Sequence, residues 1–287
     1  MPEVIGEPIS VGDINRVYRS RLGIDVRAYF TAERIELQRR DPIGYYQFSD
    51  SLPGDAGFYE RLMSRIGYEI SDKPEFAEGA RWIPPEAKVL DVGCGPGRFS
   101  AHCAGDYKGI DLNPGAVAEA KANGRAVFQQ DLAAQPADHF DVVTMFQVLE
   151  HVSDPLAFAA MAARTVKPGG TLIVSVPNLD GVISAAVNQY LNYPPHHLTW
   201  WDETSLRNLM AALDFETVRL WCEPIRPEHL KTLFYALMYP RGSRHFDLSL
   251  ASKAARLASA LVSLLFPRRE HPFGMGLAIM IAGRKKG

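Results

Sequence analysis

The chain has 287 residues, 47% of them hydrophobic and 22% charged, the composition of a polypeptide that buries its own core rather than staying disordered. Lys and Arg number 31 against 33 Asp and Glu, a formal charge of −2, so bulk electrostatics gives no argument for a nucleic-acid partner. Three cysteines in this length are not a disulfide framework, and no CxxC pair offers a zinc site; a reducing, cytoplasmic setting is expected.

Residues 1 to 15 carry acids and prolines where a secretory signal needs a basic run and an apolar core, so none is expected. No stretch reaches the roughly 18 apolar residues that span a bilayer; residues 257–266 come nearest and are interrupted by Ser259 and Ser263. Residues 1–84 read as an irregular, aromatic N-terminal cap or lid. Within it Asp55 opens a helix to about Ile66 that sets Phe58, Leu62 and Ile66 on one face. That face is an apolar stripe for docking on the core, or the underside of a lid that excludes water.

From 85 to 225 short apolar runs alternate with helical segments. Residues 88–92 form a buried strand that ends in glycines. A helix follows over 98–104, then a second strand over 108–112. Pro114 suits the first turn of the next helix, and Asn123-Gly124 stops it. Strands are expected over 126–131 and 140–146. A helix over 155–166 is closed by Lys167-Pro168-Gly169-Gly170 and followed by a strand over 171–176. Asp202 caps a helix to Leu213, and 217–222 and 276–282 are the last two strands. About 50 residues separate those two runs, too many for a hairpin, so an inserted helical element is expected there. The sum is an α/β, doubly wound, Rossmann-like and mostly parallel seven-stranded sheet. Around it stand the cap (1–84), a core (85–225) with a substrate loop (179–203), a helical insertion (226–273) and a last strand with its tail (274–287).

The turn Asp91-Val92-Gly93-Cys94-Gly95-Pro96-Gly97 joins the first core strand to the next helix. Glycines there let a backbone approach a ligand closely; the plain alternative is a tight turn with no ligand. A dinucleotide fingerprint needs glycine at 98, where Arg98 stands, and the Walker A Gly-Lys-Ser/Thr is absent. A nicotinamide cofactor is therefore disfavoured. What remains is D-x-G-x-G-x-G followed by acids at the ends of the next two strands, Asp111 and Asp131. A carboxylate at the end of the second strand can accept both hydroxyls of a ribose.

On these residues the chain resembles the class I methyltransferases that use S-adenosylmethionine. The likeness covers 86–178: DVGCGPG at 91–97, GIDLNP around Asp111, QQDL around Asp131, FDVVTMFQVLEHVSDP from Phe140, VKPGG from Val166 and TLIVSVPN from Thr171. The stretch 147–154 is similar to the ubiquinone O-methyltransferase branch. GDAGFYERL before the core and NYPPHHLTWWDETSL after it resemble bacterial proteins of surface-polysaccharide and other secondary biosynthesis.

The resemblance implies S-adenosylmethionine as cofactor and a small-molecule methyl acceptor, a sugar or sugar nucleotide. An aromatic or quinone-like lipid at a membrane surface is the alternative acceptor, and a non-catalytic S-adenosylmethionine-binding protein the alternative class. It places Gly93, Gly95 and Gly97 along the methionine portion and sugar, and Asp91 toward the amino group. Asp111 takes the ribose hydroxyls with Leu112 on the adenine, and Asp131 takes the adenine amine with Leu132 beside it. Phe146 and Gln147 border the sulfonium. Leu112 and Leu132 suit plain core packing equally well. In quinone-methylating relatives acids and a histidine here hold a divalent metal; Gln147 stands in place of the first acid, so no metal is expected. A zinc module precedes the core in some relatives, whereas 38–44 here contains no cysteine.

Methyl transfer from a sulfonium needs an in-line nucleophile, and a base only when the acceptor arrives protonated. His151, after the fourth core strand, and His196-His197, after the fifth, are the candidate bases. The competing readings are a loop-bonding residue for His151 and a backbone cap for the His196-His197 pair. The segment 190–201 is rich in aromatics and prolines; its Tyr193 and Trp200, with Tyr59 of the cap, are candidate acceptor-binding rings. In the insertion Leu250, Ala254, Leu257, Leu261 and Leu264 recur at helical spacing around Lys253 and Arg256, with Arg268-Arg269 beyond. Over 248–269 this predicts a helix packed on its own domain, a dimer surface, or peripheral docking to an anionic membrane. No nucleic-acid partner is expected, and the sequence leaves the oligomeric state open.

Overall fold

A computed structural model describes residues 3–66, 73–181, 186, 188–239, 245–247, 249–265 and 276–287. The strands among them are β1 (Glu3–Ser10), β2 (Arg34–Arg40), β3 (Tyr45–Phe48), β4 (Lys88–Val92), β5 (Asp106–Ile110), β6 (Val127–Phe128), β7 (Phe140–Phe146), β8 (Val166–Pro177), β9 (Thr199–Trp200), β10 (Phe215–Cys222) and β11 (Ala278–Lys285). The α-helices are α1 (Val11–Leu22), α2 (Ala56–Ile66), α3 (Pro74–Ala80), α4 (Pro114–Ala122), α5 (Pro155–Thr165), α6 (Glu203–Ala212), α7 (Leu230–Met238) and α8 (Leu250–Ser263). The chain divides into two compact units, one from 1–68, 177–202 and 222–279, the other from 69–176, 203–221 and 280–287.

The second unit holds most of a seven-stranded sheet with strand order β10-β11-β8-β7-β4-β5-β6. The pairs β4–β5, β4–β7, β5–β6 and β7–β8 are parallel. This is the doubly wound, mostly parallel α/β sheet expected from the sequence. The strand β4 buries Val89, Leu90, Asp91 and Val92, as a central parallel strand covered on both faces does. Asn113 caps α4 by accepting from Gly115 N and Ala116 N, and Asp154 caps α5 by accepting from Ala157 N; each helix has proline at its start. Phe76, Phe99 and Phe146 meet in this unit's core, with Phe99 and Phe146 4.6 Å apart.

Several boundaries differ from the pattern reading. The helix expected over 98–104 is one 3-10 turn, Arg98–Ala101, because the chain must re-enter the sheet at Asp106. The strand expected over 126–131 shrinks to Val127–Phe128. Asp131 instead accepts from Ala133 N at 2.8 Å and starts a 3-10 turn. β8 starts at Val166 rather than 171, pairing Val166 with Phe140 and absorbing the glycines through a register shift before Thr171.

The first unit is more regular than its sequence suggested. β1, β2, β3 and β9 form a four-stranded sheet in which the β1–β2, β2–β3 and β3–β9 pairs are antiparallel. Its core gathers Ile14, Tyr18, Ile35, Phe48, Phe58, Leu62, Tyr193 and Trp200. Of the predicted α2 stripe, Phe58 and Leu62 are fully buried there and Ile66 packs against the cluster partly buried. The expected helical insertion contains α7 and α8, and the last strand lies three residues further on than expected at its C-terminal end. Arg268 and Arg269 lie outside the described residues. No helix among the described residues is long and apolar enough to cross a membrane.

Candidate functional site

Open parallel sheets bind ligands at the carboxyl ends of their strands, and the tips of β4, β5 and β6 carry the glycine turn and two of its acids. Gly93, Gly95 and Gly97 all have positive φ, at 64°, 55° and 70°. A Cβ on Gly97 would sit 2.5 Å from Val127 Cγ2, whereas a Cβ on Gly95 would meet nothing within 4 Å. Gly97 is thus glycine for packing, and Gly95 fronts open space. The Gly95 N–H donates to Asp111 Oδ2 and the Asn113 N–H to Oδ1, both at 2.8 Å. These donors fix the carboxylate at the β5 tip while leaving it lone pairs for further donors. Leu112, next along, is 67% exposed. Asp131 is exposed at the β6 tip, while Leu132 turns into the core at 3%.

Asp91 is buried and accepts from Thr144 Oγ1 at 2.7 Å and from Tyr107 OH at 2.9 Å. Burial pushes its pKa up to about 6 against the pull of those two donors. It ties β4 to β5 and β7 under the glycine turn. Burial also drives the Cys94 thiol well above its usual range, which makes it a poor nucleophile.

Past the β7 tip, Phe146 packs in the core, 5.1 Å from Phe76. Gln147 has φ 61°, a strained conformation for a side chain with a Cβ that needs support from its surroundings. Its Nε2 donates to Glu75 Oε1 at 3.2 Å and to Ser175 Oγ at 3.1 Å. Glu150 is fully buried, and neither carboxyl oxygen has a hydrogen-bond partner among the described residues. Burial, with Glu75 nearby, pushes its pKa up to about 8, which favours the protonated form. His151 is half-buried, with Nε2 3.6 Å from Glu150 Oε1, beyond hydrogen-bond range.

In the first unit His196 is 5% exposed and stacks on His197 with ring centroids 4.5 Å apart. Tyr59, half-buried, meets His196 edge-on at 5.8 Å. His197 Nδ1 lies 2.9 Å from Asn192 Oδ1. A carbonyl oxygen accepts only, so Nδ1 is the donor in this bond. Tyr193 and Trp200 are core residues at 2% and 4% exposure. The Tyr193 hydroxyl meets His245 Nδ1 at 2.9 Å, and Trp200 Nε1 donates to Asn192 O at 2.6 Å. Both rings serve the antiparallel sheet's own packing, which aromatic density alone does not distinguish from ligand binding.

Sequence reasoning missed Glu75 and Asn192. Glu75 reaches Gln147 across 72 positions of chain, and no local pattern marks it. Asn192 stands five residues before His197, within the proline-rich segment, where an amide beside a candidate base was a readable signal.

The strand-tip residues fit an adenosyl group by donor chemistry. Ribose hydroxyls and an adenine amine need acceptors, which Asp111 and Asp131 supply; a flat ring needs an apolar surface, which exposed Leu112 supplies; and the open space at Gly95 admits a ligand against backbone.

Residues 59–220 match the family described as a methyltransferase domain. A ubiquinone biosynthesis O-methyltransferase of Xanthomonas campestris pv. campestris is 41% identical over 111 residues, covering 34% of this chain and 46% of that protein. The protein of the same name from Thiobacillus denitrificans is 40% identical over 115 residues, covering 34% and 50%. The chain spans about half the length of these curated relatives. Among solved structures, an S-adenosylmethionine-dependent methyltransferase of Archaeoglobus fulgidus shares the fold with TM-score 0.52 at 14% identity, covering 81% of this chain and 100% of that one. One from Thermotoga maritima does so with TM-score 0.50 at 20% identity, covering 79% and 94%.

Proposed function

The chain belongs to the methyltransferase domain family, as a class I S-adenosylmethionine-dependent methyltransferase, and from that premise we propose that it methylates an oxygen of a small-molecule acceptor. The observation that carries this reading is the constellation at the parallel strand tips: Asp111 held by two backbone N–H groups, Leu112 exposed beside it, Asp131 at the next tip, and open space at Gly95. Asp111 accepts from the ribose hydroxyls, Leu112 covers the adenine, and Asp131 accepts from its amine. Gly93, Gly95 and Gly97 lie along the remainder; Asp91, expected toward the amino group, accepts from Thr144 and Tyr107 and in this reading holds the turn in place. Gln147, past the β7 tip, borders the reacting end, and Phe146, expected there as well, packs in the core against Phe76. When bound, S-adenosylmethionine supplies an electrophilic methyl carbon on a sulfonium.

His197 is the base this reading prefers. Asn192 holds its Nδ1, and in this reading the imidazole takes the hydroxyl proton as the oxygen gains its methyl group. His196 supports it by stacking, and His151 is the third candidate. A neutral imidazole is far better matched to a phenol, with a pKa near 10, than to a much less acidic sugar alcohol. That match, the relatives' name and the likeness of 147–154 to their branch favour an aromatic, quinone-type hydroxyl over the sugar or sugar nucleotide that the sequence first suggested. The test is S-adenosylhomocysteine release with polyprenylated catechols in one arm and sugar nucleotides in the other. Turnover with catechols supports the reading. Turnover with sugar nucleotides alone restores the carbohydrate acceptor, and binding without turnover in either arm favours a non-catalytic S-adenosylmethionine-binding protein.

A further inference from the structure

α8 carries its leucines on the outside. Ser252 and Ser259 are buried at 1% and 0% exposure, while Leu250, Leu257 and Leu261 are 82%, 65% and 58% exposed. Leu264 and Leu265, just beyond the helix, are 68% and 83% exposed. With Ala254, also exposed, Leu250, Leu257, Leu261 and Leu264 make a row whose steps are four, three, four and three residues, the a/d seam of a heptad repeat. At about 100° per residue this seam is a stripe roughly 80° wide, opposite the two serines. The serine side is committed within the fold: Ser252 Oγ meets Tyr235 OH of α7 at 2.8 Å and accepts from Asn188 Nδ2 at 3.3 Å. The helix therefore cannot roll its leucines inward without breaking that network.

Spacing and flanks select the occupant. A 3.5-residue repeat matches the knobs and holes of another helix. The positions beside the seam within α8 are Ala251, Lys253, Ala258 and Ala260, mostly small side chains that let two helices approach closely. Two heptads are too few to fold and pair isolated helices, but α8 is already held: Ser249 caps it by accepting from Ser252 N, and its serine side is bonded to α7. The stripe also complements its own reverse. Leu250 and Leu264 stand seven residues either side of Leu257. A two-fold axis at Leu257 therefore sets Leu250 of one copy against Leu264 of the other, and brings Ala254 of one to Leu261 of the other, small against large. The same axis parts the cations. The two copies of Lys253 come to lie about 12 Å apart along the seam at 1.5 Å per residue, beyond the Debye length of about 10 Å at 0.1 M salt, whereas a parallel pair would set them level. Arg256, the other charge of the helix, lies over the Tyr235 ring of α7 at 5.9 Å. We infer that α8 is a self-association surface, on which two copies of this chain pair antiparallel through the leucine seam with Leu257 at the two-fold axis.

The test is sedimentation velocity of the full chain across the micromolar range, joined to disulfide trapping. Wild type sediments as a dimer that dissociates on dilution. Leu257→Glu, which sets a charge on the axis, raises the dissociation constant at least about tenfold. It leaves the circular dichroism and S-adenosylmethionine affinity unchanged, since that side chain is exposed within one copy. Under mild oxidation Leu257→Cys cross-links to itself beyond the wild-type background, whereas Leu250→Cys and Leu264→Cys cross-link only when the two variants are mixed. A monomer at every concentration, an equally stable dimer in Leu257→Glu, or self-cross-linking of Leu250→Cys overturns the inference. A monomer that pellets with phospholipid vesicles, and no longer does so as Leu257→Glu, overturns it in favour of a membrane surface.

Discussion

Leu112 and Trp200 each stand at the end of a β-strand, one in each unit, and their surroundings are opposite. Leu112 is 67% exposed beside a fixed carboxylate; Trp200 is 4% exposed and hydrogen-bonded to the backbone of Asn192. An exposed leucine alone is ordinary. Next to Asp111 in the chain, with Asp131 past the adjacent parallel strand, it belongs to a set of side chains whose chemistry suits an adenosyl group. The aromatic loop looked more like a binding surface in sequence, yet its rings are spent on holding a four-stranded sheet together. The proposed cofactor site thus rests on apolar and charged groups left together in water, rather than on aromatic density.

Ways to break that contrast differ in expected size. Replacing His196 and His197 together by Ala should cut turnover by roughly 10²–10⁴-fold with S-adenosylmethionine affinity intact, and unchanged turnover removes both from the mechanism. Trp200→Ala should cost about 3–5 kcal/mol of stability in denaturant unfolding; a loss under 1 kcal/mol would mean the ring is not core. Glu150→Gln sharpens the account of the β7 tip through pH. Because the folded carboxyl titrates at about 8 and its ordinary value is 4.5, the folded state holds a proton that the unfolded chain releases between those values. Wild-type stability therefore falls as pH rises through this window, and buried Asp91, raised from 3.8 to about 6, acts in the same direction. The variant should be more stable than wild type at pH 8, by at most a few kcal/mol at about 1.4 kcal/mol per unit. The gap should close below pH 4.5, and a pH-independent gap would refute the assignment. Leu112→Ala should have the smallest effect, leaving stability within about 0.5 kcal/mol while weakening S-adenosylmethionine a few-fold by calorimetry.

The parallel sheet was legible because each of its features is local. A short apolar run ending in glycine, a proline at a helix start and an acid at a strand tip each carry their meaning within a few residues. The antiparallel sheet was not, because β3 pairs with β9 from 154 positions away, Tyr46 against Trp200, and its two-residue strand has no period to detect. Separation along the chain, here 72 positions, likewise hid Glu75 as the partner of Gln147. Among the candidate site residues, Asp111, Leu112 and Asp131 stand where a ligand can reach them. Leu132, Tyr193 and Trp200 are buried, and no sequence pattern separates an apolar side chain that faces a ligand from one that faces the core.

Calorimetric titration of the full chain with S-adenosylmethionine and with S-adenosylhomocysteine tests the central claim most directly, run beside Asp111→Ala. The strand-tip site predicts saturable heat and a raised melting temperature with both compounds, and an affinity about 10- to 100-fold weaker in the variant, as the loss of charge-assisted hydrogen bonds requires. Absence of both heat and thermal shift in the wild-type protein, or an Asp111→Ala isotherm that overlays the wild-type one, would contradict it.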